Sequence, residues 1–399
     1  MRILWLLPLA AALPTLAQAA EPARGQILLD ARLRYEAVSQ DGLAKDAQAL
    51  TLRTRLGYET AAVHGFKLLV EAQNVTALDE RYNSQVNGKT TYPVVADPET
   101  TQLNRLQVSW VGPISAGGSG GATVGRQRLI LDNARFVGNV GFRQTEQTFD
   151  AVTLVYRPSP RLTLTYAYLD KVHRILGEGH AQGSWRSDSH IAQLAARTAI
   201  GQVSASAYLL DFANAPAQSS ATYDIRLTGS RPVSPDLSIT YEAQYARQSD
   251  YGNSPTDFTL DYLALGAGLK SKVSAVTLGV ERLDGDGRRG FQTPLATLHA
   301  FQGWADVFLT TPSNGVRDLA LTASTNVTHS KAHPVKLQAA LHRFDTADGD
   351  AKLGDEMNLA ISAPLTPKLS VELAAAAFNG DQPAFRDRTK LWLTLAYKL

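Results

Sequence analysis

Apolar side chains recur at every second position from residue 27 to the carboxyl terminus, and this alternation restricts the fold more than any other feature. In the first run, Leu29, Leu33 and Tyr35 share one face of an extended chain, whereas Arg32 and Arg34 share the other. Eighteen such runs follow one another along the sequence. Because side chains alternate between the two faces of a strand, the pattern predicts an all-β protein.

The lengths of the runs and of their connections separate a membrane barrel from a soluble sandwich. Most runs have about ten residues, the length that a tilted strand needs to cross a bilayer, whereas strands of soluble sheets have about five or six. Tyrosine and tryptophan stand near the ends of many runs, as in interfacial aromatic girdles. Short connections such as 158–160 alternate with long ones such as 76–101. These features predict a single transmembrane antiparallel β-barrel of about eighteen strands.

Closure of the sheet is expected on energetic grounds. Unpaired backbone groups in hydrocarbon cost several kcal/mol each, so a sheet within a membrane has to close on itself. A cylinder of about eighteen strands is too wide for wall side chains to fill, which leaves a water-filled or plugged lumen. Because the short turns of such barrels face the periplasm, an even number of strands places both termini there.

The amino-terminal segment has the pattern of a secretory signal peptide. Arg2 precedes an apolar stretch that continues to Ala17, and Ala17-Gln18-Ala19 supplies the small residues of a cleavage site. We therefore expect residues 1–19 to be removed and residues 20–399 to form the barrel. An export signal followed by a membrane barrel predicts the outer membrane of a Gram-negative bacterium.

Composition and motifs argue against several other classes of protein. The 39 basic and 37 acidic residues are nearly balanced, which gives no polybasic nucleic-acid signature. Cysteine is absent, and no serine stands in a nucleophile-elbow motif. Asp284-Gly285-Asp286-Gly287 lacks the glutamate of a calcium loop and predicts a tight turn, while His329 and His333 lack the helical support of a metal site. No enzymatic activity, cofactor or bound metal is expected.

Arginines are concentrated on the predicted inner face of the early runs. They are Arg32, Arg34, Arg53, Arg55 and Arg105, and Arg126 and Arg128 follow. The fifth run, 121–131, alternates poorly, because Val124 and Ile130 have the same parity as Arg126 and Arg128. Guanidinium groups along a pore wall would attract anions and bind carboxylates in bidentate pairs. The alternative is that they pair with acidic residues of the same region, namely Asp30, Glu36, Glu59, Glu71 and Asp150.

Two long segments without β alternation are expected to fold inwards and narrow the lumen. They comprise residues 131–147 and 284–315. The second places aromatic rings beside polar side chains, a combination that suits stacking on sugar rings and recognition of hydroxyl groups. The residues of this predicted constriction are Phe291, Gln292, His299, Gln302 and Trp304. The alternative is that the apolar members pack against the inner wall.

Three stretches of sequence resemble those of the alginate-export outer-membrane family. They are YNSQVNGKTTYPVVADPETTQLN (82–104), VGRQRLILDNARFVGNVGFRQTEQTFDAV (124–152) and GFQTPLATLHAFQGWADVFLTTP (290–312). The resemblance implies an eighteen-stranded barrel with an arginine- and lysine-lined pore that passes polyuronate. It also implies that Arg126, Arg128, Arg135 and Arg143 lie in or beside the pore. This chain differs from the founding exporter in being shorter and nearly neutral.

The expected function is passive transport of anionic solutes by an outer-membrane porin, with sugar acids or uronate oligosaccharides such as alginate as the leading class. Two alternatives stay open at the level of the sequence. One is a general porin, or a porin for carboxylates and amino acids, and the other is a sealed barrel with a structural or adhesive role. The expected partners are small solutes and outer-membrane lipid without nucleic acid, and the expected oligomeric state is a monomer.

Overall fold

Residues 24–115, 117–327 and 334–399 are described by the structure, which is a computed structural model. The predicted signal peptide, residues 1–19, and the pair His329 and His333 lie outside the described residues. Strands make up nearly all of the regular structure, and two single 3-10 turns span Pro216–Gln218 and Leu298–Ala300. In the described ranges, no helix has the length and apolar character needed to span a membrane.

The described residues form eighteen strands, which confirms the number predicted from the alternation. The strands are β1 Gln26–Gln40, β2 Ala47–Glu59, β3 Phe66–Arg81, β4 Thr100–Pro113, β5 Ser119–Gln127, β6 Thr148–Ser159, β7 Leu162–His173, β8 Ser184–Thr198, β9 Gly201–Leu210, β10 Ser220–Ser234, β11 Leu237–Ser249, β12 Thr259–Ser271, β13 Ser274–Leu283, β14 Val316–Val327, β15 Val335–Asp345, β16 Lys352–Pro364, β17 Leu369–Gly380 and β18 Arg388–Lys398.

The sheet is closed and antiparallel throughout. Each strand pairs with the next one along the chain, and β18 pairs with β1, so that Leu33 lies opposite both Leu395 and Leu52. Closure gives every strand two hydrogen-bonded neighbours, which is the condition for a sheet surrounded by lipid. The predicted run 121–131 is too long, because β5 ends at Gln127 and Arg128 already belongs to the following loop.

Large apolar side chains cover the outer face of the barrel. Leu56, Ile225 and Leu278 are 58%, 54% and 55% exposed, and they stand at outward positions of β2, β10 and β13. A continuous apolar surface of this kind is costly in water and matches the hydrocarbon layer of a membrane. Tyr58 and Trp110 lie on the same face near strand ends, as expected for the interfacial girdle.

The start of β1 and the end of β18 lie at the barrel end that carries the short turns. Leu399 donates its backbone N–H to the carbonyl of Leu29, and β1 begins beside the end of β2. Connections at this end include the two-residue turns 160–161, 199–200, 235–236 and 272–273. The opposite end carries the long connections 82–99, 128–147 and 284–315.

Two of the long connections pack against the inner wall and against each other; we call them loop A (128–147) and loop B (284–315). The backbone N–H of Gly138 donates to Leu295 at 2.8 Å, and that of Thr297 donates to Ala134 at 3.0 Å. Phe136 of loop A stacks on Tyr208 of β9 with ring centroids 5.1 Å apart, and Phe291 of loop B packs beside it. This apolar cluster fixes both loops within the barrel.

Five residues of the two loops adopt positive φ although they are not glycine. They are Asp132, Ala134, Val140, Gln302 and Asp306, with φ between 48° and 63°. This conformation is unfavourable for residues with a Cβ, and most of all for a β-branched valine. The loop conformation therefore has to be maintained by specific contacts, which the polar side chains described next provide.

Candidate functional site

Arg32 and Arg34 of β1 hold loop A by its backbone carbonyl groups. Arg32 donates to the carbonyl oxygens of Gly141, at 3.0 Å, and Arg143, while its Nε donates to Gln144 Oε1 at 2.9 Å. Arg34 donates to the carbonyl of Phe142 at 2.6 Å and lies over the ring of that residue. Neither guanidinium has a carboxylate within 4 Å among the described residues. Asp97 and Glu36 act on Arg34 from a longer distance, and Arg34 is buried, with 3% of its surface exposed.

The neighbouring strand β2 carries Arg53 and Arg55, and each pairs with an acidic side chain. Arg53 pairs with Asp30 of β1. Arg55 Nη1 lies 3.3 Å from Glu146 of loop A, and its Nε donates to Gln73 at 2.6 Å. The alternative of cross-strand pairing therefore describes Arg53, whereas Arg55 connects the wall to the loop.

Glu146 is the central carboxylate of loop A and is completely buried. Its oxygens lie 2.6 Å from Arg128 Nη2 and accept from Asn104 and Asn139 at 2.6 Å and 2.8 Å. Burial opposes ionisation, but the charges of Arg55 and Arg128 hold the pKa of Glu146 well below its usual range. Glu146 is therefore an ionised anchor rather than a proton donor at neutral pH.

Arg105 and Arg126 stand on neighbouring strands, and each makes ion pairs with acidic side chains. Arg105 of β4 binds Glu71 of β3 in a bidentate pair, with distances of 2.9 Å and 2.8 Å. Arg126 Nε donates to Asp150 at 2.9 Å, and its Nη1 donates to Glu178 at 3.0 Å in the connection after β7. The irregular alternation of β5 has its cause at Gly125, whose φ of +111° departs from extended geometry within the strand, although the ladder continues to Gln127.

Arg143 joins the two loops through Asp306. Its Nη2 donates to Asp306 of loop B at 2.9 Å, and its Nη1 donates to Glu36 of β1 at 3.1 Å. Asp306 also accepts from Lys390 of β18 at 2.6 Å and contacts His299 Nδ1 at 2.7 Å. Burial opposes ionisation of Asp306, but His299, Lys390 and Arg143 hold its pKa well below the usual range. Burial lowers the pKa of His299, while the carboxylate of Asp306 opposes this shift.

Arg135 lies apart from the other arginines, on the side of the barrel formed by β12 and β13. It is buried and donates to Glu281 at 2.6 Å, to Thr293 at 3.0 Å and to Gln302 at 3.3 Å. Its guanidinium also lies 4.7 Å from the ring of Phe301. In this arrangement Arg135 connects loop A to loop B and β13 and presents no surface to a solute.

The aromatic residues of loop B use their ring faces inside the protein. Phe291 is completely buried, and the ring of His299 stacks on Phe142 of loop A at 3.5 Å. Trp304 is half-buried against the apolar cluster. Gln302 bonds Glu281 and Arg135, whereas Gln292 bonds Gln248 of β11. These contacts match packing against the inner wall, and sugar stacking by this loop stays a prediction.

The structure also accounts for the sequence around Asp286. Its Oδ1 accepts from the backbone N–H groups of Arg288 and Arg289, both at 2.8 Å, which makes a tight turn. Across the ranges that the structure describes, no three or more His, Asp or Glu side chains are grouped as metal ligands.

Three anchoring residues were missed by the sequence reasoning: Glu146, Asp306 and Lys390. Lys390 has the inward parity between Thr389 and Leu391, so alternation alone could have placed it in the lumen. Asp306 is a single charged residue within an aromatic stretch, and this isolation could have indicated a buried, paired carboxylate. The partner of each residue could not be read from the sequence, because Arg143 and Asp306 are 163 positions apart.

A closed eighteen-stranded barrel with long loops packed in its lumen has the fold of an outer-membrane porin. Residues 22–170, from before β1 into β7, match the family described as alginate export, which confirms the resemblance over that range. The third similar stretch, 290–312, lies outside the matched range. No curated protein sequence matches the chain.

Solved structures with low sequence identity share the fold. OpdO of Pseudomonas aeruginosa has a TM-score of 0.70 and 16% identity, with 94% of this chain and 97% of that one covered. OccAB4 of Acinetobacter baumannii has a TM-score of 0.68 and 14% identity, with coverage of 94% and 98%. OpdK of P. aeruginosa, solved with vanillate, has a TM-score of 0.69 and 15% identity, with the same coverage.

Proposed function

We propose that the protein is an outer-membrane channel for passive diffusion of small or oligomeric anionic solutes, with sugar acids as the leading class. The observation that carries the proposal is the pair Arg32 and Arg34 on the inner wall, whose guanidinium groups have no carboxylate within 4 Å among the described residues; Arg32 is half-buried and Arg34 lies buried beneath loop A. Fixed positive charge on a low-dielectric wall lowers the electrostatic cost of an anion in the lumen.

Inward-facing side chains of the wall are exposed near one barrel end and buried near the other, and the exposed region supports a path for water. Inward-facing Ser230, Lys270 and Thr322 are exposed near the short-turn end. Inward-facing positions at the height of the loops, such as Thr51 and Asp318, are buried. A wide polar vestibule that leads to a narrow, loop-lined passage is suited to selection by size and charge.

The choice of solute class follows from the chemistry of the arginines. A guanidinium binds a planar carboxylate through two parallel N–H donors, which favours carboxylates over spherical anions. OpdK was solved with vanillate, which carries a carboxylate, and the match to the alginate export family favours uronates. A general or amino-acid porin would share the arginines but show no preference for the saccharide.

A sealed barrel with a structural role is the second candidate, and one observation favours it. Phe291, Leu295 and Val137 are completely buried where loops A and B meet, so this part of the lumen contains no water path. Arg34, Arg53 and Arg55 are also buried beneath loop A, so a channel must pass elsewhere in the lumen, beside the two loops.

Solute preference is tested by single-channel recording with added uronate oligomers. A trimer of galacturonate should block the current at lower concentrations than glutamate or neutral maltotriose. Equal block by galacturonate and glutamate would support the general carboxylate porin. Absence of any channel current in bilayers that contain the protein would support the sealed barrel and contradict the proposal.

The contribution of the wall is tested with two double variants. Arg32→Gln with Arg34→Gln removes both charges, whereas Arg32→Lys with Arg34→Lys keeps them but loses most bonds to loop A. Anion preference should fall in the glutamine variant and persist in the lysine variant, while a rise in conductance in both would report release of the loop. Equal anion preference in all three proteins would contradict the assignment.

The proposal includes the orientation and the oligomeric state. The short-turn end, where β1 begins and β18 ends, faces the periplasm, and loops A and B enter the lumen from the outer side. Since the barrel is closed within one chain and carries its own constriction, a monomer is sufficient for transport. Accessibility of an engineered cysteine at Gly179 to an external reagent on whole cells would test the orientation.

A further inference from the structure

A cavity of about 410 Å³ opens at the outer mouth of the barrel, away from the arginine wall of β1 to β4. We call it the rim cavity; it is bordered by the connection after β7 (174–183), the connection after β9 (211–219) and loop B. Its lining includes Arg174, Gln182, Gln218, Gln292 and Thr310, together with proline and leucine side chains. The volume lies in the range of small-molecule sites.

Arg174 is a cation in this cavity without an acidic partner. Its guanidinium carbon lies 4.0 Å from the ring centroid of Trp185, and its Nη1 donates to the carbonyl of Gln182 at 3.3 Å. No carboxylate pairs with it anywhere in the described residues, although most other lumen arginines have one. Burial lowers the pKa of Arg174 to about 10, so the group stays charged at neutral pH.

The surroundings hold the guanidinium in one place. Trp185 is buried and packs on Phe212 with ring centroids 4.9 Å apart, while its Nε1 donates to Gln182 Oε1 at 3.0 Å. A guanidinium has five N–H donors, and the bond to Gln182 uses one of them. The remaining donors are available to a carboxylate of a bound solute. The amide of Gln218 and the hydroxyl of Thr310 also line the cavity and can form hydrogen bonds with hydroxyl groups of the solute.

We propose that the rim cavity binds the carboxylate of a sugar acid at Arg174, as a capture site that precedes the passage beside the two loops. The solute class rests on the proposed function, but binding in the cavity does not require conduction. Apolar prolines and leucines beside polar amides suit a pyranose ring, which has apolar faces and a polar edge. A pre-binding site at the mouth raises the local solute concentration.

The test uses the purified full-length protein in detergent and measures binding of D-glucuronate by isothermal titration calorimetry. D-glucose serves as the ligand without charge. Arg174→Gln should weaken glucuronate binding about tenfold or more, because a charge-assisted bidentate pair is lost. Arg288→Gln is the matched control, since Arg288 carries the same charge on loop B and its side chain is 85% exposed. The control should bind within about twofold of the unmodified protein.

A second variant tests the cavity independently, in case Arg174→Gln fails to fold. Gln218→Trp lies on an exposed 3-10 turn and fills the cavity from the opposite side, so it should also weaken binding. Unchanged affinity in Arg174→Gln or in Gln218→Trp, or equal binding of glucose and glucuronate, would overturn the proposal. Channel recordings on the same samples keep the two proposals separate. Current without Arg174-dependent binding refutes only the rim site, and binding without current refutes only the channel.

Discussion

The guanidinium of Arg143 in loop A donates to the carboxylate of Asp306 in loop B at 2.9 Å, and both side chains are buried. Lys390 of β18 contacts the same carboxylate, so the junction also connects both loops to the barrel wall. The width of the lumen therefore depends on a small set of charges rather than on the strands alone.

Separating the loops should change conductance and stability together. Arg143→Gln removes one of the positive charges that compensate the buried carboxylate of Asp306. Breaking a buried ion pair costs about 3–5 kcal/mol of folding stability. We expect a larger and noisier single-channel current and a lower unfolding temperature. Arg282→Gln, which breaks a partly exposed pair with Asp284, should alter neither property measurably.

A double-mutant cycle isolates the coupling between Arg143 and Asp306. Arg143→Gln combined with Asp306→Asn should cost less than the sum of the single variants, because the mutual interaction of the two side chains is lost only once; Glu36 and Lys390 each lose a partner in the single and in the double variants alike. The measurement is urea unfolding in lipid vesicles. Strict additivity of the three free energies would show that the two side chains act independently.

Acid should weaken the anchoring of loop A through Glu146. The pKa of Glu146 is depressed in the folded protein, so its stabilisation is complete above the unfolded pKa of about 4.3 and is lost as the pH falls towards the folded value. The unfolding temperature should therefore be nearly constant from about pH 5 to 8 and decrease below that range. Glu146→Gln should be less stable at pH 7 and show a shallower acid slope; an unchanged slope would argue against ionisation of Glu146.

Asp132 should show the opposite dependence on pH. Its Oδ2 accepts from Gln193 and Ser204, but its Oδ1 has no partner among the described residues, and burial raises its pKa. The charged form therefore costs stability at neutral pH, and this cost disappears as the pH falls through the raised pKa. Asp132→Asn should raise stability at pH 7 by about 1 kcal/mol and change little near pH 4.

The matched control for Asp132 is Asp188→Asn, because the side chain of Asp188 is 75% exposed. Thermal unfolding followed by circular dichroism at the two pH values compares the three proteins. Destabilisation of Asp132→Asn at pH 7 would indicate that the carboxylate has a partner cation in solution, contrary to this account.

Gly125 should tolerate no side chain. Its φ is +111°, and a Cβ would lie 2.3 Å from the carbonyl oxygen of Leu106 on the paired strand. Gly125→Ala should cost about 1–3 kcal/mol and disturb the pair Arg126–Asp150 next to it. Gly179→Ala is the control, since its Cβ would meet no atom within 4 Å. Equal stability of the two variants would contradict the conformational constraint at Gly125.

The strands could be predicted from the sequence because each one satisfies a local rule. Leu29, Leu33 and Tyr35 face lipid and Arg32 and Arg34 face the lumen, whatever the rest of the chain does. The rule failed near Gly125, where positive φ ended the alternation before residue 131. The alternation of residues was therefore sufficient to predict which side chains of the barrel wall face the lumen. It was insufficient where the backbone leaves extended geometry.

The contacts of the inner loops could not be predicted in the same way. Val140 and Asp306 adopt positive φ that their residue types disfavour, and only contacts across the lumen maintain it. Arg135 and Arg143 were assigned to the pore together, yet one pairs with Glu281 and the other with Glu36 and Asp306. Partners that are more than 100 positions apart leave no local pattern in a single sequence.

The reversal potential of the unmodified protein in planar bilayers shows whether the lumen prefers anions. Under a tenfold gradient of potassium chloride, open channels should give a potential of the sign expected for chloride selectivity, because Arg32 and Arg34 place positive charge on the inner wall with no carboxylate within 4 Å among the described residues. A potential of the cation-selective sign would contradict the arginine wall as the selecting surface, and a membrane without any unitary current would contradict the channel itself.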